Sequence, residues 1–313
     1  MSLLERVDMK LKNTLFLLLT AIIWGFAFSA QKTAMEHVGP YTFNCLRSFL
    51  GAFFLIPCIF VFDRLKPKGQ REMERRVPMK LLLTGGLCCG LALGVASTLQ
   101  QIGIKYTEAG KAGFITACYI IIVPILGLFL KKRCSWLLWL AVVIALVALY
   151  LLCMTSNSFS ISTGDTYVLA CAFVFAIQIL CIDFFAPKMD CIRLSCIQFF
   201  VVAFLCADMM FWKEGIPAWG AMKACLPALL YTGIMSSGIA YTLQIIGQKN
   251  FNPTIASIIM SMESTFAVIG GWLFLGERLT VRQFIGCCLM FAAIILAQIP
   301  VRGKLSSESR KTR

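Results

Sequence analysis

The sequence predicts an all-α membrane protein with ten transmembrane helices, arranged as two inverted five-helix repeats. Three observations predict this fold class: a high apolar content, a succession of apolar stretches long enough to cross a bilayer, and an internal repeat. Of the 313 residues, 59% are hydrophobic and 14% are charged, and the mean hydropathy is +0.82. A soluble domain carries about 25% charged residues, so the composition argues against a soluble protein.

Ten apolar stretches of span length follow one another along the chain, separated by short connections. The first follows several basic residues, as a secretory signal does, but its length and the spans behind it predict a retained helix. The longest connection, residues 63–79, is too short for a soluble catalytic or nucleotide-binding domain. Spans 1 to 10 are predicted at residues 13–32, 41–62, 79–101, 110–130, 135–153, 164–184, 192–211, 223–246, 254–275 and 281–300.

Lysine and arginine are distributed unevenly between the two faces of the predicted bundle. With a cytoplasmic N-terminus, 21 of the 29 basic residues lie on the cytoplasmic side, seven lie outside, and Arg47 lies within span 2. The positive-inside rule therefore predicts a multi-pass protein of the cell membrane (plasma or inner), with residues 1–12 and the tail 301–313 in the cytoplasm. These cations face anionic headgroups, so the net charge of +14 does not call for nucleic acid as a partner.

The residue types that carry metal or enzyme chemistry are scarce or badly spaced. The fifteen cysteines lie mostly within apolar stretches, where cysteine acts as a small apolar residue. The chain has a single histidine and lacks CxxC, HExxH, GxSxG and GxxxxGK[ST] motifs. We therefore expect no metal site, no cofactor and no enzymatic activity.

The most specific signal is self-similarity at an offset of 144 residues. Residues 94–105 (GVASTLQQIGIK) and 238–249 (GIAYTLQIIGQK) are identical at more than half of their positions, including two glycines, a glutamine and a lysine. Five spans separate the two segments, and an odd number reverses the direction of crossing. The predicted repeats, 13–153 and 164–300, are therefore inverted, an arrangement that in secondary transporters places the substrate near the midplane.

The same offset places Tyr119 of span 4 opposite Glu263 of span 9. Each lies roughly 14 Å from the start of its helix, near the middle of a hydrocarbon core about 30 Å thick. A carboxylate at that depth is costly. Glu263 could carry a coupling proton, because apolar surroundings favour the neutral form; it could also bind a substrate amine, pair with Arg47, or only pack the bundle. Arg47 either forms this charge pair or extends outward to the membrane surface.

Other polar groups within the spans each have two interpretations. Trp24, in the middle of span 1, is either a core residue or a wall of a central cavity. The glutamines of the spans either line a substrate path or join helices by hydrogen bonds: Gln100, Gln178, Gln198 and Gln244. Three aspartates lie near span ends, which are wet, and are expected to be structural: Asp165, Asp183 and Asp208.

Several of these residues match a known family. The chain resembles the EamA-type, ten-helix members of the drug/metabolite transporter superfamily. The matching segments are Trp24-Gly25, Pro40 followed by Arg47, Leu99–Gly127, Met262-Glu263 and Gly270–Gly286. Members usually have a proline after the glutamate of span 9, where this chain has Ser264, so we predict a straighter helix there.

The resemblance implies a central cavity lined mainly by spans 1, 3, 4, 6, 8 and 9, and export of amino acids or other small metabolites by alternating access. It identifies the cavity candidates by position: Trp24, Tyr119, Gln178, Tyr241 and Glu263. We therefore predict a secondary transporter with a small-molecule substrate, the lipid bilayer and a coupling proton as partners. The alternative is a non-transporting scaffold or receptor subunit; the substrate and the oligomeric state are left open.

Overall fold

The computed structural model describes residues 3–75, 77–107, 109–132, 134–153, 162–274 and 280–299, and within these ranges the chain is helical with no strand. A π-helix (Tyr231–Ala240) and a 3₁₀ turn (Ala186–Lys188) accompany the α-helices. The α-helices are α1 (Leu3–Ala34), α2 (Pro40–Leu65), α3 (Lys68–Arg75), α4 (Met79–Tyr106), α5 (Ala109–Ala117), α6 (Tyr119–Phe129), α7 (Trp136–Cys153), α8 (Thr163–Phe185), α9 (Cys191–Lys213), α10 (Trp219–Ala224), α11 (Leu226–Leu230), α12 (Tyr241–Gln248), α13 (Pro253–Met260), α14 (Glu263–Phe274) and α15 (Val281–Gln298).

Eight helical segments of the described chain are long and apolar enough to cross a membrane, and two shorter apolar segments complete the ten predicted spans. In order they are Asp8–Ala34, Pro40–Leu65, Met79–Tyr106, Ala112–Phe129, Trp136–Leu152, Thr163–Lys188, Cys191–Lys213, Leu226–Gln248, Pro253–Ile269 and Val281–Gln298. The predicted all-α, ten-span fold class is confirmed. From Leu3 onward the predicted N-terminal segment is helical and continues into span 1, whereas the tail 301–313 lies outside the described residues.

Large apolar side chains cover the outside of the bundle. Phe60, Trp212 and Ile295 are each more than 60% exposed, and many others resemble them. Exposed apolar area on this scale is not compatible with water but suits contact with lipid chains. The polar residues of the spans are instead buried, so the bundle has its apolar face outward and its polar groups inside.

The two repeats pack against each other through three pairs of spans, two of which are equivalent by the repeat. Span 2 lies against span 7, span 5 against span 10, and span 3 against span 6. Span 3 and span 6 cross closely at Gly103 and Gly164, where an added Cβ at either position would come within about 3 Å of the other residue's carbonyl oxygen. Small residues at such crossings let transmembrane backbones approach each other, and the result is a polar centre enclosed by both repeats.

Candidate functional site

Spans 4 and 9 are each interrupted at equivalent positions near their middle. In span 4, α5 ends at Ala117 and α6 begins at Tyr119; in span 9, α13 ends at Met260 and α14 begins at Glu263. The backbone tightens at both places, since Cys118 N–H donates to the Ile115 carbonyl and Met262 N–H donates to the Ile259 carbonyl, three residues earlier. Tyr119 and Glu263, related by the offset of 144, are thus each the first residue in the second half of a broken span.

The predicted straighter helix in span 9 is wrong. The break occurs without a proline, because the last turn of α13 closes by short-range bonds that compete with the helical pattern. Ser261 Oγ donates to the Ile258 carbonyl at 2.8 Å, and Ser264 N–H donates to the Ser261 carbonyl at 3.2 Å. Discontinuous helices at the repeat interface are the elements on which many transporters build their substrate site.

A small cavity of about 40 Å³ lies between these two interruptions. Every residue that the sequence analysis named as a cavity candidate lines it, and so do Arg47 and the equivalent glutamines of the repeat. The lining residues are Trp24, Ala27, Phe28, Gln31, Arg47, Gln100, Thr116, Tyr119, Phe175, Gln178, Ile179, Ser236, Tyr241, Gln244, Met260 and Glu263. The volume is enough for a few water molecules but far below the roughly 300 Å³ of a typical ligand pocket, so an amino acid does not fit in this conformation.

Two charged side chains face this cavity without forming an ion pair. Arg47 is 5% exposed and Glu263 is 4% exposed. Arg47 donates from Nη1 to Gln31 Oε1 at 3.2 Å and lies over the ring of Phe43. No Arg47–Glu263 bridge is formed, because Gln31 and Phe43 hold the guanidinium on the side of spans 1 and 2. A buried carboxyl group and a buried guanidinium therefore face one cavity, each without a partner of opposite charge among the described residues.

Several polar atoms around the cavity lack hydrogen-bond partners within the described chain. They are Trp24 Nε1, Tyr119 Oη, Gln178 Nε2 and Gln244 Oε1. The Tyr119 hydroxyl lies near the Glu263 carboxylate but does not meet hydrogen-bond geometry with it. Buried polar atoms are normally satisfied, so these are the atoms of the cavity wall that are available to bond to water or to a polar ligand.

Aromatic rings and glutamines form the rest of the wall. Trp24 packs on Tyr241 with ring centroids 4.6 Å apart, and Phe199 meets Tyr241 edge to face with centroids 5.5 Å apart. The glutamines both line the cavity and join helices: Gln244 Nε2 donates to Gln178 Oε1 at 3.4 Å, and Gln100 Nε2 donates to Thr116 Oγ1 at 3.3 Å. Gln198 is buried but lies away from the cavity lining.

Span 8 reaches the cavity through the π-helix Tyr231–Ala240, a feature that the sequence analysis missed. Ser236 lines the cavity from within this segment, and Tyr231 Oη donates to the Ile23 carbonyl of span 1 at 2.9 Å. The equivalent residues 87–96 of α4 form an ordinary α-helix. π-helical turns are rare and occur frequently at functional sites. This one could not be recognised in the sequence, because the two repeats have the same length here.

The sequence of the chain matches a family model called the EamA-like transporter family over residues 11–154 and 162–298. The chain belongs to this family.

EamA relatives are spread over bacteria and archaea. The chain is 27% identical over 298 residues to an uncharacterized transporter of Archaeoglobus fulgidus, covering 93% of this chain and 87% of the relative. It is 26% identical over 280 residues to the threonine/homoserine exporter RhtA of Salmonella typhimurium, covering 88% and 87%. A solved crystal structure superposes with a TM-score of 0.73 over 91% of this chain and 96% of that one, at 16% identity, which shows a shared fold. The EamA chain described here is thus a multi-pass membrane transporter by family.

Polar residues at the ends of the spans hold the EamA bundle together. Asp165 caps α8 and accepts from Thr107 Oγ1 at 2.7 Å, and Asp183 pairs with Lys132. Asp208 is exposed. These contacts are structural, and none of the three side chains lines the cavity.

Spans 2 and 7 are tied at both ends. At one face Glu214, which follows α9, accepts from Tyr41 N–H, Thr42 N–H and Thr42 Oγ1 at 2.7–3.0 Å. At the other face Lys66, which follows α2, pairs with Asp190, the residue that caps α9.

An acidic cluster surrounds Lys66. Its ammonium also contacts Asp63 at 3.4 Å and Glu74 at 2.7 Å, and Arg193 bonds to Asp63 at 2.5 Å. Three carboxylates lie close enough together to hold a metal ion, but the lysine ammonium already occupies their centre. The cluster is therefore an ion-pair network.

Proposed function

We propose that the chain is a secondary active transporter that exports small polar metabolites, amino acids among them, by alternating access. One observation carries the proposal: a small cavity between the two broken spans holds a buried carboxyl group and a buried guanidinium that do not pair with each other. A zwitterion offers each charge the partner that it lacks, with its amine toward Glu263 and its carboxylate toward Arg47.

The class of substrate draws further support from a relative. RhtA is named as a threonine/homoserine exporter, and both of those compounds are small zwitterions with a hydroxyl group. The unsatisfied donors and acceptors around the cavity, such as Trp24 Nε1 and Gln244 Oε1, suit such a hydroxyl. We take export as the direction, with both termini in the cytoplasm of the cell, from this relative and from the basic residues of one face.

Proton coupling is assigned to Glu263. A buried carboxylate without a counter-ion favours its neutral form, so a proton can occupy the site when the substrate amine does not. The amine and the proton then compete for one carboxylate, which exchanges one for the other across the membrane. The cavity must widen to admit an amino acid, because only about 40 Å³ is free in this conformation.

The test is Glu263→Gln in proteoliposomes that contain the full chain. We expect the variant to lose uptake of labelled threonine or homoserine driven by a pH gradient, and to lose the proton flux reported by an internal pH dye. Asp208→Asn is the matched control, because it removes an exposed carboxylate at the edge of the bundle and is expected to behave as wild type. If Glu263→Gln takes up substrate at the wild-type rate under a pH gradient, Glu263 does not couple transport to protons. If the wild type takes up no amino acid, the proposed substrate class is wrong.

A further inference from the structure

A second, larger cleft lies beside the central cavity and shares no residue with it. It measures about 600 Å³ and is bounded by α1, α2, α9 and the inner half of span 8. This volume is within the roughly 300–1,000 Å³ range of ligand sites. Most of its wall is apolar: Phe16, Phe54, Leu55, Cys58, Phe62, Ile192, Ile239, Leu243 and Ile246.

The mouth of the cleft carries three lysines. Lys66 is neutralised there by Glu74 and Asp190. Lys12 and Lys249 have no carboxylate within 4.0 Å among the described residues, and the Lys12 ammonium lies 5.7 Å from the centroid of the Phe16 ring. The lining of the cleft therefore carries three lysines against two carboxylates, a net positive charge, and Lys12 and Lys249 lie outside the ion pairs of Lys66.

The fold brings the backbone at Lys12 close to the backbone at Lys249. Asn13 Nδ2, next to Lys12, donates to the Lys249 carbonyl at 3.1 Å and joins the start of span 1 to the end of span 8. Both lysines lie at the face where α2 ends and α9 begins, which is the face rich in basic residues. An anionic group bound there would lie at headgroup level while the rest of the cleft extends along the apolar interior.

An apolar wall with a cationic mouth selects against the polar metabolite proposed for the central cavity, because that molecule has no apolar part to bury. It suits an amphiphile whose head is an anion. Basic pockets between transmembrane helices bind anionic lipid headgroups, and each lysine near such a headgroup contributes about 1 kcal/mol of attraction. We propose that this cleft binds one anionic phospholipid, with its phosphate at Lys12 and Lys249 and an acyl chain against Phe54, Cys58 and Leu243.

The experiment is native mass spectrometry of the full chain in a neutral detergent. Phosphatidylglycerol and phosphatidylcholine of equal chain length are offered in equal amounts. We expect the wild type to retain one phosphatidylglycerol in preference to phosphatidylcholine. Lys12→Gln/Lys249→Gln is expected to lower that preference about 25-fold, which is about fivefold for each lysine.

The matched control is Lys213→Gln/Lys223→Gln, which removes the same charge from exposed lysines at the opposite face. It is expected to keep the preference. Cys58→Trp fills the cleft and is expected to reduce binding of both lipids, with the midpoint of thermal unfolding checking that the variant is folded. If the double variant does not fold, Lys12→Gln alone replaces it in the test, because Lys12 is at an exposed position.

The proposal is overturned if the two lipids bind equally to the wild type, or if both lysine double variants lose the preference to the same extent. It is also overturned if soluble glycerol phosphate displaces phosphatidylglycerol as effectively as a second phospholipid does, since the site would then bind a free anion. Unchanged preference in Lys12→Gln/Lys249→Gln has the same consequence.

Discussion

Gly25 offers a direct test of how span 1 supports the break in span 9. An added Cβ at this position would lie 2.8 Å from the Glu263 carbonyl oxygen, 2.8 Å from Phe266 Cβ and 3.0 Å from the Ala267 nitrogen. Two of these atoms belong to the backbone and the third is a Cβ, so none can rotate away. Gly25→Ala must therefore push span 1 and α14 apart.

The size of the effect follows from those distances. Ordinary contact begins at 3.4 Å, so the helices must separate by at least about 0.6 Å, and overpacking of this kind costs about 1–3 kcal/mol. Alanine recovers about 1 kcal/mol through its higher helix propensity. The net loss of stability is then about 0–2 kcal/mol, which is up to several degrees of the unfolding midpoint for a chain of this length.

Transport is expected to suffer more than stability. The displaced atom is the carbonyl of Glu263 itself, and misplacing a substrate-positioning group by about 1 Å can cost about 100-fold in rate. The measurement is threonine or homoserine counterflow in proteoliposomes, with the unfolding midpoint determined on the same preparation. Gly220→Ala is the control, since nothing lies within 4 Å of its added Cβ. If Gly25→Ala matches the wild type in both counterflow and midpoint, the close approach of span 1 to Glu263 does not exist.

Two further predictions concern the charged residues. Arg47→Gln is expected to raise the KM of an amino acid substrate at least about tenfold, since a hydrogen bond to a charged group contributes about 1.5–3 kcal/mol. The affinity for the corresponding amine, which lacks the carboxylate, is expected to stay unchanged. Equal losses of affinity for both compounds would mean that Arg47 does not bind the carboxylate. Burial lowers the pKa of Lys66, but its bonds to Asp190 and Glu74 outweigh that effect and raise the pKa of Lys66 from 10.5 to about 12. The ion pairs of Lys66 thus stabilise the fold fully below about pH 10.5, and this stabilisation is lost as the pH rises through about 12. Lys66→Gln should therefore have a lower unfolding midpoint than the wild type at neutral pH, and its midpoint should fall less at alkaline pH. Identical profiles of midpoint against pH for the two proteins would contradict the assignment.

The spans and the position of Glu263 near the middle of span 9 could be predicted because both depend on averages over many residues. Hydropathy over about twenty residues identifies a span regardless of its detailed packing. The repeat then aligned Tyr119 with Glu263 without any knowledge of which helices are neighbours. All five cavity candidates lie around one cavity, although their role in binding remains a prediction.

The breaks in the spans could not be predicted, because they depend on local hydrogen bonding that the residue types do not fix. Cys118 and Ser261 are not strong helix breakers, and the π-helix of span 8 shares its register with an ordinary α-helix in the other repeat. Which pattern forms is decided by neighbours such as Gly25, which lies against the Glu263 carbonyl. The direction of the Arg47 side chain likewise depends on Gln31, a residue of another helix.

The double connection between spans 2 and 7 has a consequence for the alternating access proposed above. Glu214 joins the two helices at one face, and Lys66 with Arg193 joins them at the other. A movement that parted this pair at either face would have to break charged hydrogen bonds in a partly buried setting. Under the proposed alternating access, we expect spans 2 and 7 to stay together, and we expect the opening to each side of the membrane to come from the broken spans 4 and 9 and from spans 1 and 8.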